Sequence, residues 1–347
     1  MEAEYKINPI PMKTWNWLKV NDAKVCFDKD ALLELSKDAL NIKVEGDVKE
    51  TALNPSLFND MEDGTGTDTN IIRSACVSEG VSFETLAEGK LFINPKLTKD
   101  GAFEVLVNAR EGANLTVIEE ITSEDEGFGF ASVKFNIEDN AKVTLVQIYK
   151  TGAEYKLITN VSACEGKCAN FYIVQLFMSG GEIYAGLASK LLGNESDLKL
   201  NSAYLVNDSR KLDINYVVRH VGKNTHCDMS TQGALKTNAY KCFRGTIDFI
   251  KGASGSKGNV LENVLFLDDT AVNRTTPIIL CGEEDVEGNH GATVGKISED
   301  ILFYMESRGI TEEEIYRMMA AASLMSVAGR IPEEAVRNRI IEELEEN

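Results

Sequence analysis

The sequence predicts a mainly β protein with a helical C-terminal tail. Apolar and polar residues alternate through most of the stretch from Gly101 to Thr293, which is the period of a half-buried strand. That stretch holds one proline, Pro277, as expected where most backbone donors are used in sheet ladders. After Ser298 the period changes to that of capped helices. A chain of 347 residues has the length for two or three folding units, and the textures divide at 1–95, 96–297 and 298–347.

The first unit is mixed. Leu32, Leu33, Leu35 and Leu40 fall near helical spacing behind Asp28 or Asp30, so a short helix is expected over Asp30–Leu40. Asp60–Asn70 (DMEDGTGTDTN) reads as a solvated loop, since it lacks the oxygen-ligand spacing of a calcium loop. In the second unit Val133, Phe135 and Ile137 alternate with polar neighbours, and the pattern resumes at Val143, Leu145 and Gln147. Leu212, Ile214, Tyr216, Val218 and His220 form a five-member set on one face of a strand. No helical pattern long enough for a crossover intervenes, which argues against a doubly wound nucleotide-binding sheet. A β-sandwich, a jelly roll and a β-solenoid all satisfy the pattern, and the wide, irregular turn spacing leans towards the solenoid.

In the third unit Ser298 caps a helix with Glu299 and Asp300 in its first turn, and Gly309 stops it. Thr311 and Glu314 make a capping box, after which Ile315, Met318, Met319, Ala322 and Met325 recur at helical spacing. That stripe serves either as a seam against a neighbouring helix or as a docking face. Gly329 ends this helix, and Pro332 suits the first turn of a last one running to about Glu345.

Charge narrows the function classes. With 55 acidic and 36 basic residues the net charge is −19, which repels phosphate backbones, so nucleic acid is not an expected partner. The longest weakly polar stretch, Met318–Gly329, is too short to span a bilayer. The acidic start MEAEYK lacks the pattern of an export signal, and seven cysteines without one read as reduced thiols in a cytoplasm.

Motifs that would carry chemistry are sparse. GATVGKIS (Gly291–Ser298) and GASGSKG (Gly252–Gly258) both fail the spacing of a phosphate-binding loop, so ATP hydrolysis by this chain is not expected. Cys164 and Cys168 have an offset uncommon in zinc sites and no second pair. Cys227, Cys242 and Cys281 lie in the strand region, where a free cysteine is usually a small buried hydrophobe, although thiolates also suit iron–sulfur chemistry. His220 belongs to an apolar set and reads as a core or rim residue. His290, in Gly288-Asn289-His290-Gly291, has glycines on both sides that let the backbone bend and leave an accessible imidazole, as a metal ligand or proton carrier requires. Carboxylate clusters at Asp268-Asp269 and Glu283-Glu284-Asp285 fit surface turns, or a β-helical carbohydrate-active enzyme or acyltransferase. An export signal and a repeated hexapeptide are both missing for that alternative.

Longer runs are more specific. Cys242 onwards (CFRGTIDFIKGASGSKG), Asn273-Arg274-Thr275-Thr276-Pro277, and NHGATVGKISEDILFYMESRGITEEE (Asn289–Glu314) together resemble the SufB/SufD family of iron–sulfur cluster assembly scaffolds. PMKTWNWLKVN (Pro11–Asn21) is similar to the family's N-terminal segment. The resemblance is closer to SufD-like members. SufB-like chains carry a glutamate after the motif histidine, where Gly291 stands here, and a cluster-assembly cysteine near the position of Glu262. SufD-like chains often carry a cysteine at the position of Gly288.

The resemblance implies a right-handed parallel β-helix with a C-terminal helical domain, acting as a scaffold and not as an enzyme. It implies a complex with SufB, met through the β-helix, and with the ABC-type ATPase SufC, met through the C-terminal helices at Thr311, Glu314, Ile315, Met318, Met319 and Ala322. His290 would face the SufB–SufD interface where a nascent cluster forms, with Cys227, Cys242 and Cys281 as further candidate iron ligands. The cluster would be transient, no cofactor would stay bound to this chain, and flavin binding by the complex is left open. The alternative within the family is a homodimer of the isolated chain, or a homodimeric platform working without a separate SufB.

Overall fold

The alternating stretch folds as two parallel sheets wound into one solenoid of about eight turns. The structure, a computed structural model, describes residues 3–52, 54–77 and 80–346. Each strand pairs with the strand one full circuit later, so Lys142–Lys150 lies beside Asn170–Ser179, and Glu154–Glu165 beside Glu182–Leu191. One sheet runs from Gly101–Ala109 to Val272–Cys281 and the other from Asn114–Ser123 to Val286–Lys296. Strand Val81–Ile93 begins both, pairing first with Val105–Ala109 and then with Asn114–Glu119. The circuit varies from 24 residues (Val81 beside Val105) to 32 (Tyr240 beside Val272), which explains the irregular turn spacing.

Inward positions stack in columns. Leu91, Val117, Leu145, Ile173, Leu200, Met229 and Val260 form one, each in register with the next and each in the central core. Beside it runs a polar column of Glu119, Gln147, Gln175, Ser202, Thr231 and Glu262, all buried. Gln147 donates to Glu119, Gln175 Nε2 donates to Gln147 Oε1 at 2.7 Å, and the Ser202 and Thr231 hydroxyls bond at 2.8 Å. The set Leu212–His220 faces inward as its alternation predicts, and all five side chains are buried.

The outer side of each sheet is also covered. A two-stranded antiparallel hairpin, Ala3–Ile7 with Ala23–Phe27, and helix α1 (Asp68–Cys76) lie on the first sheet, called here the hairpin face. There Tyr5, Val25, Phe27 and Ile72 pack on Phe128, Phe130, Ile158 and Tyr184, with the rings of Phe27 and Phe128 stacked at 3.8 Å. On the second sheet, the helix face, lie α3 (Glu312–Ala328) and α4 (Glu334–Glu346), reached from α2 (Glu299–Glu306). Leu324, Val327, Ile340 and Leu344 pack on Ile118, Val146, Ile148 and Val174. Lys150 joins Glu120 of the sheet to Glu343 of α4. Among the described residues no helix is long and apolar enough to cross a membrane.

Two expectations for the first unit fail. Asp30–Leu40 is not a helix: a 3-10 turn at Lys29–Ala31 is followed by the short strand Leu33–Glu34, paired with Gly101–Ala102. Leu33 projects to solvent while Leu32 and Leu40 are buried, so the leucines never shared one helical face. Asp60–Asn70 is a loop only as far as Thr67, because Asp68 opens α1.

The C-terminal end of the solenoid is uncapped. Among the described residues, Val272–Cys281 pairs only with Tyr240–Phe249, and Val286–Lys296 only with Ser256–Phe266. Both strands are half-buried or exposed throughout. Each presents a free edge of backbone donors and acceptors, the arrangement that adds a strand from a partner.

Candidate functional site

His290 lies in the middle of the last strand, in register with Val260, and so continues the inward column of Leu91–Val260 by one rung. Its direction follows from its neighbours: a Cβ on Gly288 would approach Ile279 and Phe249 at 3.1 Å, while one on Gly291 would meet Leu261 on the outer side at 3.0 Å. Alternate residues 288, 290 and 292 therefore face the lumen. His290 is exposed because no further turn covers it. The local backbone is extended strand, so accessibility comes from the open end and not from a bend at the flanking glycines.

One turn deeper sits a buried ionic cluster. Lys241 is ion-paired with Glu262, both fully enclosed. Thr275 Oγ1 donates to Glu262 Oε2 at 2.6 Å, Tyr204 Oη donates to Glu262 Oε1 at 3.1 Å, and Lys241 Nζ donates to Thr275 Oγ1 at 3.2 Å. Burial pulls the Lys241 ammonium below its ordinary range, against the opposing pull of Glu262. The same enclosure, reinforced by Glu262, pushes the Tyr204 hydroxyl well up. Glu262 is in register with Ala292, two residues from His290 on the same inward face. The polar column thus ends directly beneath the mouth. This cluster was not singled out from sequence; the signal was a charge on inward parity, Lys241 in step with Phe243 and Ile247, and Glu262 between Val260 and Val264.

The cysteine candidates separate. Cys281, exposed, ends an inward column above Phe249 at the mouth. Cys227 is enclosed in the lumen beside Leu198, and burial pushes its thiol well up. Cys242 is buried on the outer side of the hairpin face, where burial and then Asp213 push its thiol up to about 12. Enclosure keeps both as thiols, so neither is placed with His290. Among the described residues no three His, Cys, Asp or Glu side chains converge as a metal site. His220 is a core residue: it stacks on Phe249 at 4.6 Å, bonds Thr225 Oγ1 through Nδ1 at 2.7 Å, and burial pulls it down to about 4.

The helices offer a second surface. Thr311 and Glu314 form the capping box, the Thr311 N–H donating to Glu314 Oε2 at 2.9 Å and the Glu314 N–H to Thr311 Oγ1 at 3.3 Å. Ile315 is buried and belongs to the protein's own packing; Met318 and Ala322 face solvent, with Met319 half-buried. α2 buries none of its residues, and Phe303 is 74% exposed.

The family model described as "SUF system FeS cluster assembly, SufBD core domain" matches residues 97–323, which takes in the solenoid from Gly101 onward, its open end and most of α3. The chain belongs to the SufBD family. Similar SufBD proteins include the iron–sulfur cluster assembly protein SufD of Bacillus subtilis, 24% identical over 99% of this chain and 91% of that one. A SufBD family protein of Synechocystis is 27% identical over 67% of this chain and 51% of its own length. SufD of Escherichia coli is 24% identical over 67% and 55%. The chain thus spans about half the length of the last two. The SufBD core match leaves the hairpin, α1 and α4 outside it.

Proposed function

We propose that this SufBD protein is a SufD-like, non-catalytic scaffold subunit that works in the cytoplasm. It pairs through the open end of its solenoid with a SufB chain and through its C-terminal helices with the ATPase SufC. The cargo is a nascent iron–sulfur cluster assembled where the two solenoids join and then passed on. The observation that carries the reading is His290, an imidazole on the last inward rung of an uncapped stack, beside free strand edges. An imidazole there can offer nitrogen to iron or carry a proton, and Cys281 at the same mouth adds an accessible sulfur. The exposed side of α2, with Met318 and Ala322 of α3, gives SufC an apolar surface, and α3 and α4 are keyed to the helix face so that movement of the helices would strain the wall behind the mouth.

Anaerobic co-purification with SufB and SufC, followed by iron and sulfide analysis, tests this. The expected outcome is a three-component complex that loses SufC when residues 298–347 are deleted. In cells, His290→Ala should lower cluster-dependent enzyme activity without unfolding the protein. Retention of SufC by the truncated chain would remove the docking role, and full activity of His290→Ala would remove the histidine from the site.

A further inference from the structure

The contact between the helices and the helix face is not continuous. Leu324 and Leu344 pack on earlier turns with Val146 and Val174, while Ala320 packs on later ones with Ala234 and Leu267. Leu205 packs against both groups. Between them lies a cleft of about 540 Å3, inside the range of about 300–1,000 Å3 that holds a small molecule. The gap has a cause in α3, where Ala320 and Ala321 line the cleft with side chains too small to fill it.

The wall of the cleft is a row of strand ends. Lys150, Ser179, Asn207, Lys236 and Leu267 stand at or just past the ends of five strands that stack in succession in this sheet. Stacked strands are about 4.8 Å apart, so the four steps make a floor about 19 Å long. Met178, Leu205, Leu267, Leu324 and Leu344 give it an aliphatic lining. Such a lining, left unfilled, forgoes dispersion contacts that an apolar occupant restores.

The two ends differ in charge. At the first, Lys150 is neutralised by Glu120 and Glu343. Towards the other stand Lys236 of the wall and Arg317 of α3, which follows Tyr316, itself packed with Ala234 and Leu267. Among the described residues neither cation makes an ion pair or a side-chain hydrogen bond, although the chain carries 55 acidic residues against 36 basic ones. Glu313 is the acid lining this end, which therefore keeps a net positive charge. A long apolar floor with a cationic end fits a molecule with one apolar chain and one anionic head, and a guanidinium can hold a carboxylate through two parallel hydrogen bonds. Ser179 and Asn207 are the uncharged side chains of the lining with amide or aliphatic hydroxyl groups, too few to read the base and sugar of a nucleotide.

We propose that the cleft between α3 and the helix face binds a single-chain carboxylate of the fatty-acid class. Its chain lies along Leu205, Leu267 and Leu324, and its head sits between Lys236 and Arg317. A bound chain joins α3 to the wall across the gap between its two points of contact. Neither SufC nor a cluster is required for this binding.

Calorimetric titration of the full chain with decanoate, below its micelle concentration, and with decanol tests it. Decanoate should bind at one site and raise the thermal midpoint, as a ligand of the folded state does. Decanol, with the same chain and no charge, should bind about tenfold or more weakly. Lys236→Glu with Arg317→Glu should remove that preference and leave the midpoint of the free protein near that of the wild type, since no ion pair is lost. Ala321→Phe should fill the cleft and abolish binding of both compounds, with circular dichroism to check its fold; the charge variant decides should it not fold. No saturable binding of decanoate, equal binding of decanol, or an affinity unchanged in the charge variant overturns the site. Displacement of decanoate by FMN would overturn the ligand class. Decanoate binding by a chain that captures no SufC would leave the cleft standing and sink the docking role.

Discussion

Glu119 and Glu120 are neighbours in one strand with opposite fates. Glu120 points out to Lys150 and Arg339, while Glu119 points into the lumen, where Gln147 donates to it and its Oε1 has no hydrogen-bond partner among the described residues. Burial pushes the Glu119 carboxyl up to about 7. An unfolded chain releases that proton near pH 4.3, so between there and about 7 the folded state binds more protons and loses stability as pH rises. His220 has the opposite sign: pulled down to about 4 by burial, it costs stability as pH falls from about 6.5. Glu119→Gln should keep the hydrogen bond from Gln147, leave the midpoint near pH 4 little changed, and raise stability at pH 8 by roughly 1–3 kcal/mol. Calorimetry at the two pH values checks this, and an equal shift at both would show that the charge is not the cause. The pair also shows why the site was half-legible. His220 sits in a clean alternating set, so its core position could be read; in TVIEEIT nothing but strand parity says which glutamate is enclosed.

At the scale of elements, the caps in the third unit were written plainly. Ser298 accepts from the Ile301 N–H at 3.3 Å, Gly309 adopts φ +87°, and the box at Thr311 closes as its spacing predicts. The first unit was not legible because its elements form against the solenoid and not by their own propensity. The loop before α1 shows how closely: a Cβ on Gly186 would lie 2.3 Å from the Thr65 backbone nitrogen. Asn215 Nδ2 also donates to the Gly64 carbonyl at 2.6 Å. Gly186→Val should push this loop off the hairpin face and cost about 1–3 kcal/mol in chemical denaturation, as overpacking does. An unchanged denaturation midpoint would mean that the loop is not held there in solution.

For the whole molecule, stability is a sum over turns and their interfaces, and among the described residues the last turn has a neighbour on one side only. Hydrogen exchange should therefore be faster in Val272–Cys281 and Val286–Lys296 than in Lys142–Lys150, and a partner at the mouth should slow the first two selectively. Uniform protection, with or without a partner, would contradict an open end. The sequence pattern could not separate a solenoid from a sandwich, because period-two alternation fixes which side chains are enclosed and not which strand lies next.

The polar column has a consequence for how such a chain can change. From Glu119 to Glu262 its members sit on the same parity of successive strands, although the path between them lengthens and shortens. Insertions at the corners alter path length and leave phase untouched; a single extra residue within a strand inverts every side chain beyond it and would turn carboxylates and amides out while forcing lysines in. Drift is thus free at the bends and forbidden along the straights, and His290 keeps its aim only because every rung below it keeps count.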